Sequence, residues 1–282
     1  MLIFYLKEII IMTEFKSNNF NTAEKDIFKS RKINEYKNKN FREKKDLLIR
    51  ELPLTIFIGK YELLTLMRLK EKTSELITGY LAAEGIIQKA SQIKKIEFKN
   101  NEKEAHLKLE VDFNIEKFKQ RKIVLGSSCG SSFVNIEGYE LLPKTKNSQI
   151  IYAKKVLALM KKLEEKSIYF HKTGGTHISA LASPEKIIYS AEDIGRHNTV
   201  DKIIGESLLN ELNLEDKIFL TSGRISSEMI IKIIRQKIPF LISRSAPTEA
   251  ALDLALDSNL TLIGFCRGQR MNIYSGANRI TD

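Results

Sequence analysis

The apolar positions change rhythm along this chain. Residues 52–58 (LPLTIFI) form a short apolar run that predicts a strand. Over 73–87, Leu76, Ile77, Tyr80, Leu81 and Ile87 recur at helical spacing behind Thr73, a residue suited to an N-cap. Ala105 to Phe113 alternates apolar and polar at every step, the mark of a strand with one buried face. Residues 121–125 (RKIVL) predict another strand, which leads into a loop holding Cys129. Gly138 to Ser148 is a polar connector, and an amphipathic helix follows over 149–164.

Beyond that helix the texture is different. Apolar runs recur at 167–170 (SIYF), 186–190 (KIIYS), 217–221 (KIFLT), 239–243 (PFLIS) and 260–265 (LTLIGF). Helical segments at 198–212, 226–237 and 248–258 lie between them. Strands alternating with helices predict an α/β layer on a largely parallel sheet. The expected organisation is a flexible basic arm over 1–47, an N-terminal α+β subdomain over 48–145 carrying the Cys129 loop, and an α/β ligand-binding domain over 146–282.

Composition sharpens this in two places. The chain has 282 residues, 43% hydrophobic and 29% charged, which fits a globular protein with a real core. Of its net charge of +11, the first fifty residues supply +5, twelve Lys and Arg against seven Asp and Glu. Residues 13–47, rich in Lys, Asn and Glu, therefore read as a weakly ordered arm. The N-terminal MLIFYLKEIIIM carries Lys7 and Glu8 and is far shorter than the ~20 residues of a membrane span. With neither a span nor a signal-peptide pattern, and with two cysteines that form no CxxC pair, the expectation is a cytoplasmic protein without membrane attachment. The basic residues are spread rather than striped and lack an aromatic-rich motif, so nucleic acid is not the expected partner.

Candidate chemistry gathers after the apolar runs. In order come His171-Lys172-Thr173-Gly174-Gly175-Thr176-His177, Glu192-Asp193-Ile194-Gly195-Arg196-His197-Asn198, Ser222-Gly223-Arg224, Arg244-Ser245-Ala246-Pro247-Thr248 and Cys266-Arg267-Gly268-Gln269-Arg270. In open α/β sheets the carboxyl ends of strands form the ligand crevice, and helix N-termini there offer N–H groups to anions. Five of only twelve arginines (196, 224, 244, 267, 270) stand at these junctions, against thirty-four lysines in the chain. Forked donors at such places point to phosphate or a planar polar ring. No GxxxxGK[ST] loop or GxGxxG turn occurs, and the HxE and PCxxC of zinc deaminases are missing. No metal site is expected. Glu192 or Asp193 could accept hydrogen bonds from a guanine ring. Cys266, ending an apolar run, is expected to be buried.

With these residues laid out, the chain resembles the formate dehydrogenase accessory sulfurtransferase family, FdhD. The matching words are Glu51-Leu52-Pro53-Leu54, the run from Gly79 to Ile87, Ser127-Ser128-Cys129-Gly130, Thr173 to His177, Glu192 to Asn198 with Asp201-Lys202, Ser222-Gly223-Arg224 with Ser226 and Glu228, Ser245 to Thr248, and Gly264-Phe265-Cys266-Arg267. The resemblance implies a cytidine deaminase-like α/β layer without zinc, usually in a homodimer. It implies sulfur taken as a persulfide on Cys129 from a cysteine desulfurase. That sulfur passes to the molybdenum bis(molybdopterin guanine dinucleotide) cofactor of formate dehydrogenase, bound as substrate by Phe265, Cys266, Arg267, Gly268, Gln269 and Arg270. Many members carry a CGxC pair where this chain has Ser132, which removes a second loop thiol. A non-catalytic chaperone for the same cofactor is the alternative expectation.

Overall fold

The computed structural model describes residues 22–114, 118, 142–146 and 148–282. It divides into two compact units, Met1–Arg50 and Glu51–Asp282.

In the first unit, a short helix α1 (Thr22–Ile27) leads into β1 (Phe28–Lys37) and β2 (Asn40–Ile49). The strands pair antiparallel from Phe28↔Ile49 to Lys37↔Asn40. Much of the expected arm is thus a hairpin. Asn38 and Lys39 both take positive φ (52° and 62°), as a two-residue primed turn requires. Cross-strand pairs such as Lys32–Glu43 (2.8 Å) and Lys44–Glu35 (2.8 Å) line its surface. Most of its side chains are exposed, so no apolar period betrays it in the sequence.

The second unit is built around a six-stranded sheet in the order β13-β12-β11-β10-β8-β9. Its strands are β8 (His177–Ala182), β9 (Ile187–Asp193), β10 (Ile218–Thr221), β11 (Phe240–Ser243), β12 (Thr261–Arg267) and β13 (Arg270–Ser275). β10, β11 and β12 pair in parallel; β8 and β13 run against them, and β9, paired antiparallel to β8, runs with them, so the sheet is mixed rather than largely parallel. The three parallel strands read as unbroken apolar runs because both faces are covered. Phe219, Leu241 and Leu262 face one way with helices α5 (Arg196–Leu209), α6 (Ser227–Arg235) and α7 (Glu249–Asp257). Leu220, Ile242 and Ile263 face the other way onto α3 (Ala153–Glu165).

SIYF is not a strand: residues Ile168–Thr173 form a short helix, α4. The strand is HISALA, which begins seven residues beyond the end of the expected run and whose alanines and serine dilute its apolar signal. A second sheet, ordered β4-β3-β6-β5, comprises β3 (Leu52–Ile58), β4 (Tyr61–Arg68), β5 (Ile93–Lys99) and β6 (Glu104–Leu109). The two-residue strands β7 (Ile151–Tyr152) and β14 (Ile280–Thr281) pair in parallel.

Helix α2 (Thr73–Ala83) joins what the sequence reading separates at residue 145. It is buried nearly all round and crosses α5 at Gly79 and Gly205. A Cβ on Gly79 would lie 1.7 Å from the Asp201 carbonyl oxygen, and one on Gly205 would lie 1.8 Å from that of Glu75. Such backbone contact leaves no seam between residues 51–114 and the α/β layer. Thr73 is the first helical residue rather than the cap; Lys72 precedes it at φ 50° and donates to Glu206 (2.6 Å) and the Ser190 carbonyl (3.0 Å).

Candidate functional site

The polar segments meet at one sheet edge, by a route different from the expected one. Thr221, ending β10, pairs with Ser179 near the start of antiparallel β8, and His177, starting β8, pairs with Asp193, ending β9. The start of β8 and the end of β9 therefore lie beside the carboxyl ends of β10, β11 and β12. The following loops are knitted together: Ile225 N–H donates to the Ala246 carbonyl (3.0 Å), and Thr248 N–H to that of Ile225 (2.9 Å).

A cavity of about 630 Å³ opens at this edge on the α3 side. Met160, Leu163 and Phe170 give it an apolar wall, and the segment from Gly174 to His177 forms another side. Glu164 and Arg244 also line it, Arg244 Nε lying 3.1 Å from Glu164 Oε1. Its size falls in the range of small-ligand clefts. The contribution of α3 was not anticipated, although Met160, Leu163 and Glu164 share a helix face three to four residues apart.

The carboxylates of the Glu192–Asn198 segment are already occupied. Glu192 accepts the N–H groups of Tyr169 and Phe170 (both 2.9 Å) and the Thr176 hydroxyl (2.7 Å). It thereby satisfies the first turn of α4, which is why SIYF coils. Asp193, fully buried, pairs with Lys202 at 2.7 Å and accepts from Leu69 N–H, Gly195 N–H and the Asn198 amide. The expectation that either reads a guanine ring fails for this reason: their acceptor positions are filled by the protein. Asp201 is likewise gripped by Lys232 through two 2.7 Å bonds; burial raises its carboxyl above the usual range while the ammonium pulls the other way.

Beside these lie basic groups in a different state. Arg196 begins α5 and passes over Gly223, where a Cβ would come within 3.0 Å of the arginine's own Cβ. Its Nε is buried without a hydrogen-bond partner among the described residues. Burial and the neighbouring Arg224 both lower the Arg196 pKa, Glu228 opposing. Burial, then Arg196 and Arg224, lower the His177 pKa as well, so that imidazole is neutral at pH 7. His197 is pushed down to about 3 by burial, Lys232, Arg196 and His177. Its Nε2 lies 3.2 Å from Glu228 Oε2, a neutral ring against a carboxylate rather than an ion pair.

The segment Phe265–Arg270 forms the end of β12 and its turn into β13. Phe265 has φ 49°, Gly268 φ 60°, and Arg267 and Arg270 are directly opposed across the turn. Arg267, Gly268, Gln269 and Arg270 are exposed, and Arg267 lies 5.9 Å from the Phe265 ring. None of the six lines the 630 Å³ cavity. Cys266 is fully buried in the α3 core, and burial, with Glu164, pushes its thiol up to about 12. Cys129 lies outside the described residues.

Layer and edge together define an α/β protein with a cleft at its strand ends, lined on one side by Arg244. The FdhD/NarQ family model matches residues 49–281, and the chain belongs to that family. A sulfur carrier protein FdhD from Listeria innocua is 37% identical over 263 residues, covering 91% of this chain and 100% of its own. One from Bacillus subtilis is 35% identical over 263 residues, covering 93% and 98%. A solved structure described as a formate dehydrogenase accessory protein from Desulfotalea psychrophila superimposes with a TM-score of 0.75 at 23% identity, covering 90% of this chain and all of that one. Among the described residues no helix is long and apolar enough to cross a membrane.

Proposed function

We propose that this protein is a persulfide sulfur carrier serving formate dehydrogenase, with Cys129 as the sulfur-bearing residue. The observation that carries the choice of residue is the state of the other cysteine. Cys266 is buried, its thiol raised to about 12, whereas sulfur transfer needs an accessible thiolate. Of two cysteines, that leaves Cys129.

In the loading step the Cys129 thiolate attacks the outer sulfur of a persulfide on a cysteine desulfurase. A new S–S bond forms at Cys129, the donor S–S bond breaks, and its electron pair leaves on the donor thiolate, with no net redox change. The acceptor in this reading is the bis(molybdopterin guanine dinucleotide) molybdenum cofactor, bound as substrate with Arg267 and Arg270 on its phosphates. A cytidine deaminase-like layer, a homodimer and a cytoplasmic setting belong to the same proposal. The mixed sheet with α3 on one face and α5–α7 on the other supports the layer.

The test is mass spectrometry of the full chain after incubation with a cysteine desulfurase and cysteine. One added sulfur atom is expected on the native chain and on Cys266→Ala, and none on Cys129→Ala. A loaded Cys129→Ala variant would overturn the assignment; an unloaded native chain would favour the non-catalytic chaperone, for which Ser132 in place of a second thiol is the argument.

A further inference from the structure

The group around Arg196 and Arg224 is not absorbed by the sulfur chemistry or by the β12–β13 turn. Arg196, the first residue of α5, lies against Gly223, the residue before Arg224, and the outer guanidinium depresses the inner, with Glu228 the carboxylate that opposes this. The neighbouring buried carboxylates do not neutralise this pair: Asp193 is spent on Lys202 and Asp201 on Lys232. Arg196 Nε and Ser226 Oγ are both buried without a partner among the described residues. Ser226 occupies the N-cap of α6, yet its side chain makes no capping bond, so the first N–H groups of that nine-residue helix keep their donors. Gly195 caps α5 equally without a side-chain bond. Arg196 is half-buried and Arg224 exposed.

A like-charge guanidinium pair with an unpartnered guanidinium N–H and hydroxyl beside it is complementary to an acceptor-rich ligand bearing at least two negative charges. We infer that Arg196, Arg224 and Ser226, with the uncapped first turn of α6, form a second phosphoryl-binding site, shaped for a diphosphate and separate from the Arg267–Arg270 turn. Inner and outer forks each take one phosphoryl group, and the helix N–H groups and the Ser226 hydroxyl complete the inner one. That the natural diphosphate belongs to a dinucleotide cofactor rests on the function proposed above; the site itself does not. A Cβ at Gly223 would press on the Arg196 side chain at 3.0 Å, so glycine there leaves that arginine room at the floor of the site.

Calorimetric titration of the full chain with inorganic pyrophosphate and with inorganic phosphate tests this. Pyrophosphate is expected to bind saturably and more tightly than phosphate. Arg224→Gln, an exposed substitution, and Ser226→Ala are each expected to weaken pyrophosphate about tenfold, the loss of one charge-assisted bond, with unfolding profiles like the native one. The double variant Arg267→Gln/Arg270→Gln is expected to keep a pyrophosphate site of native affinity. Native affinity in Arg224→Gln, or loss of all pyrophosphate binding in the double variant, would overturn the inference. Failure of Cys129 to take up sulfur would sink the carrier reading and leave this titration untouched, so the two can fail independently.

Discussion

Two segments at the same sheet edge use charge in opposite ways. In Glu192–Asn198 and the helix behind it, each buried carboxylate is matched: Asp193 by Lys202, Asp201 by Lys232, Glu192 by the start of α4. In Ser222–Glu228, where Gly223 lies against the Arg196 side chain, Arg196 Nε and Ser226 Oγ are buried without a hydrogen-bond partner among the described residues. Buried ion pairs that lose one partner are strongly destabilising, and a buried polar atom without a partner costs about 1–3 kcal/mol, which a ligand that bonds to it would offset. The first segment fastens the layer; the second has donors to spend on something that is not protein.

The sharpest way to break this contrast is to move both segments at once. Helix α5 carries Asp201 and Lys202 in its middle and Arg196 at its start, and the Gly79–Gly205 crossing sets its position. Gly79→Ala places a carbon 1.7 Å from the Asp201 carbonyl oxygen, and the opposing atom is backbone that cannot swing aside. The expected loss is upward of about 5 kcal/mol in chemical unfolding, or no folded protein at all. A variant within about 1 kcal/mol of native stability would mean that α2 and α5 can slide apart, and that the edge is set by the sheet alone.

The next largest effect separates the segments. Lys202→Ala strands the Asp193 carboxylate, which is 0% exposed, and is expected to cost about 3–5 kcal/mol in urea unfolding. Adding Asp193→Asn is expected to recover part of that loss, since the amide needs no counter-ion. No recovery in the double variant would show that Asp193 matters through its bonds to Leu69, Gly195 and Asn198 rather than through its charge.

The sequence made some of this readable and hid the rest for physical reasons. The strands at 218–221, 240–243 and 261–267 announce themselves because burial on both faces demands unbroken apolar runs. The gathering of polar segments was readable too, since loops leave a sheet where its strands end, even though the first expected strand is a helix. Its helical state depends on Glu192, more than twenty residues further on, which no local window contains. The hairpin over 28–49 escaped because neither face has an apolar rhythm. Whether Glu192 and Asp193 are open or occupied was equally hidden: one Asp193 donor, Leu69, lies 124 residues away. Arginine positions are local facts; spare capacity is a property of the assembled edge.

The smallest effect concerns His197, which stands between the two segments. Burial holds its imidazole down to about 3, while an unfolded histidine titrates near 6.5. Between those values the unfolded chain binds the extra proton, so stability contributed by the neutral ring is present above about pH 6.5 and is lost as the pH falls toward 3. From pH 7 to pH 5 the expected loss is at most about 2 kcal/mol, and His197→Gln should flatten that part of the stability–pH curve. Glu228 works against the shift, because its Oε2 lies 3.2 Å from the ring nitrogen and gains an ion pair if the ring protonates. Parallel curves for the native chain and the variant would mean that Glu228 compensates fully. His197 and Glu228 would then form another matched pair, and the boundary between fastened charge and spare donors would move from Gly223 to Ser226, leaving Arg196, Arg224 and Ser226 as the open part of the edge.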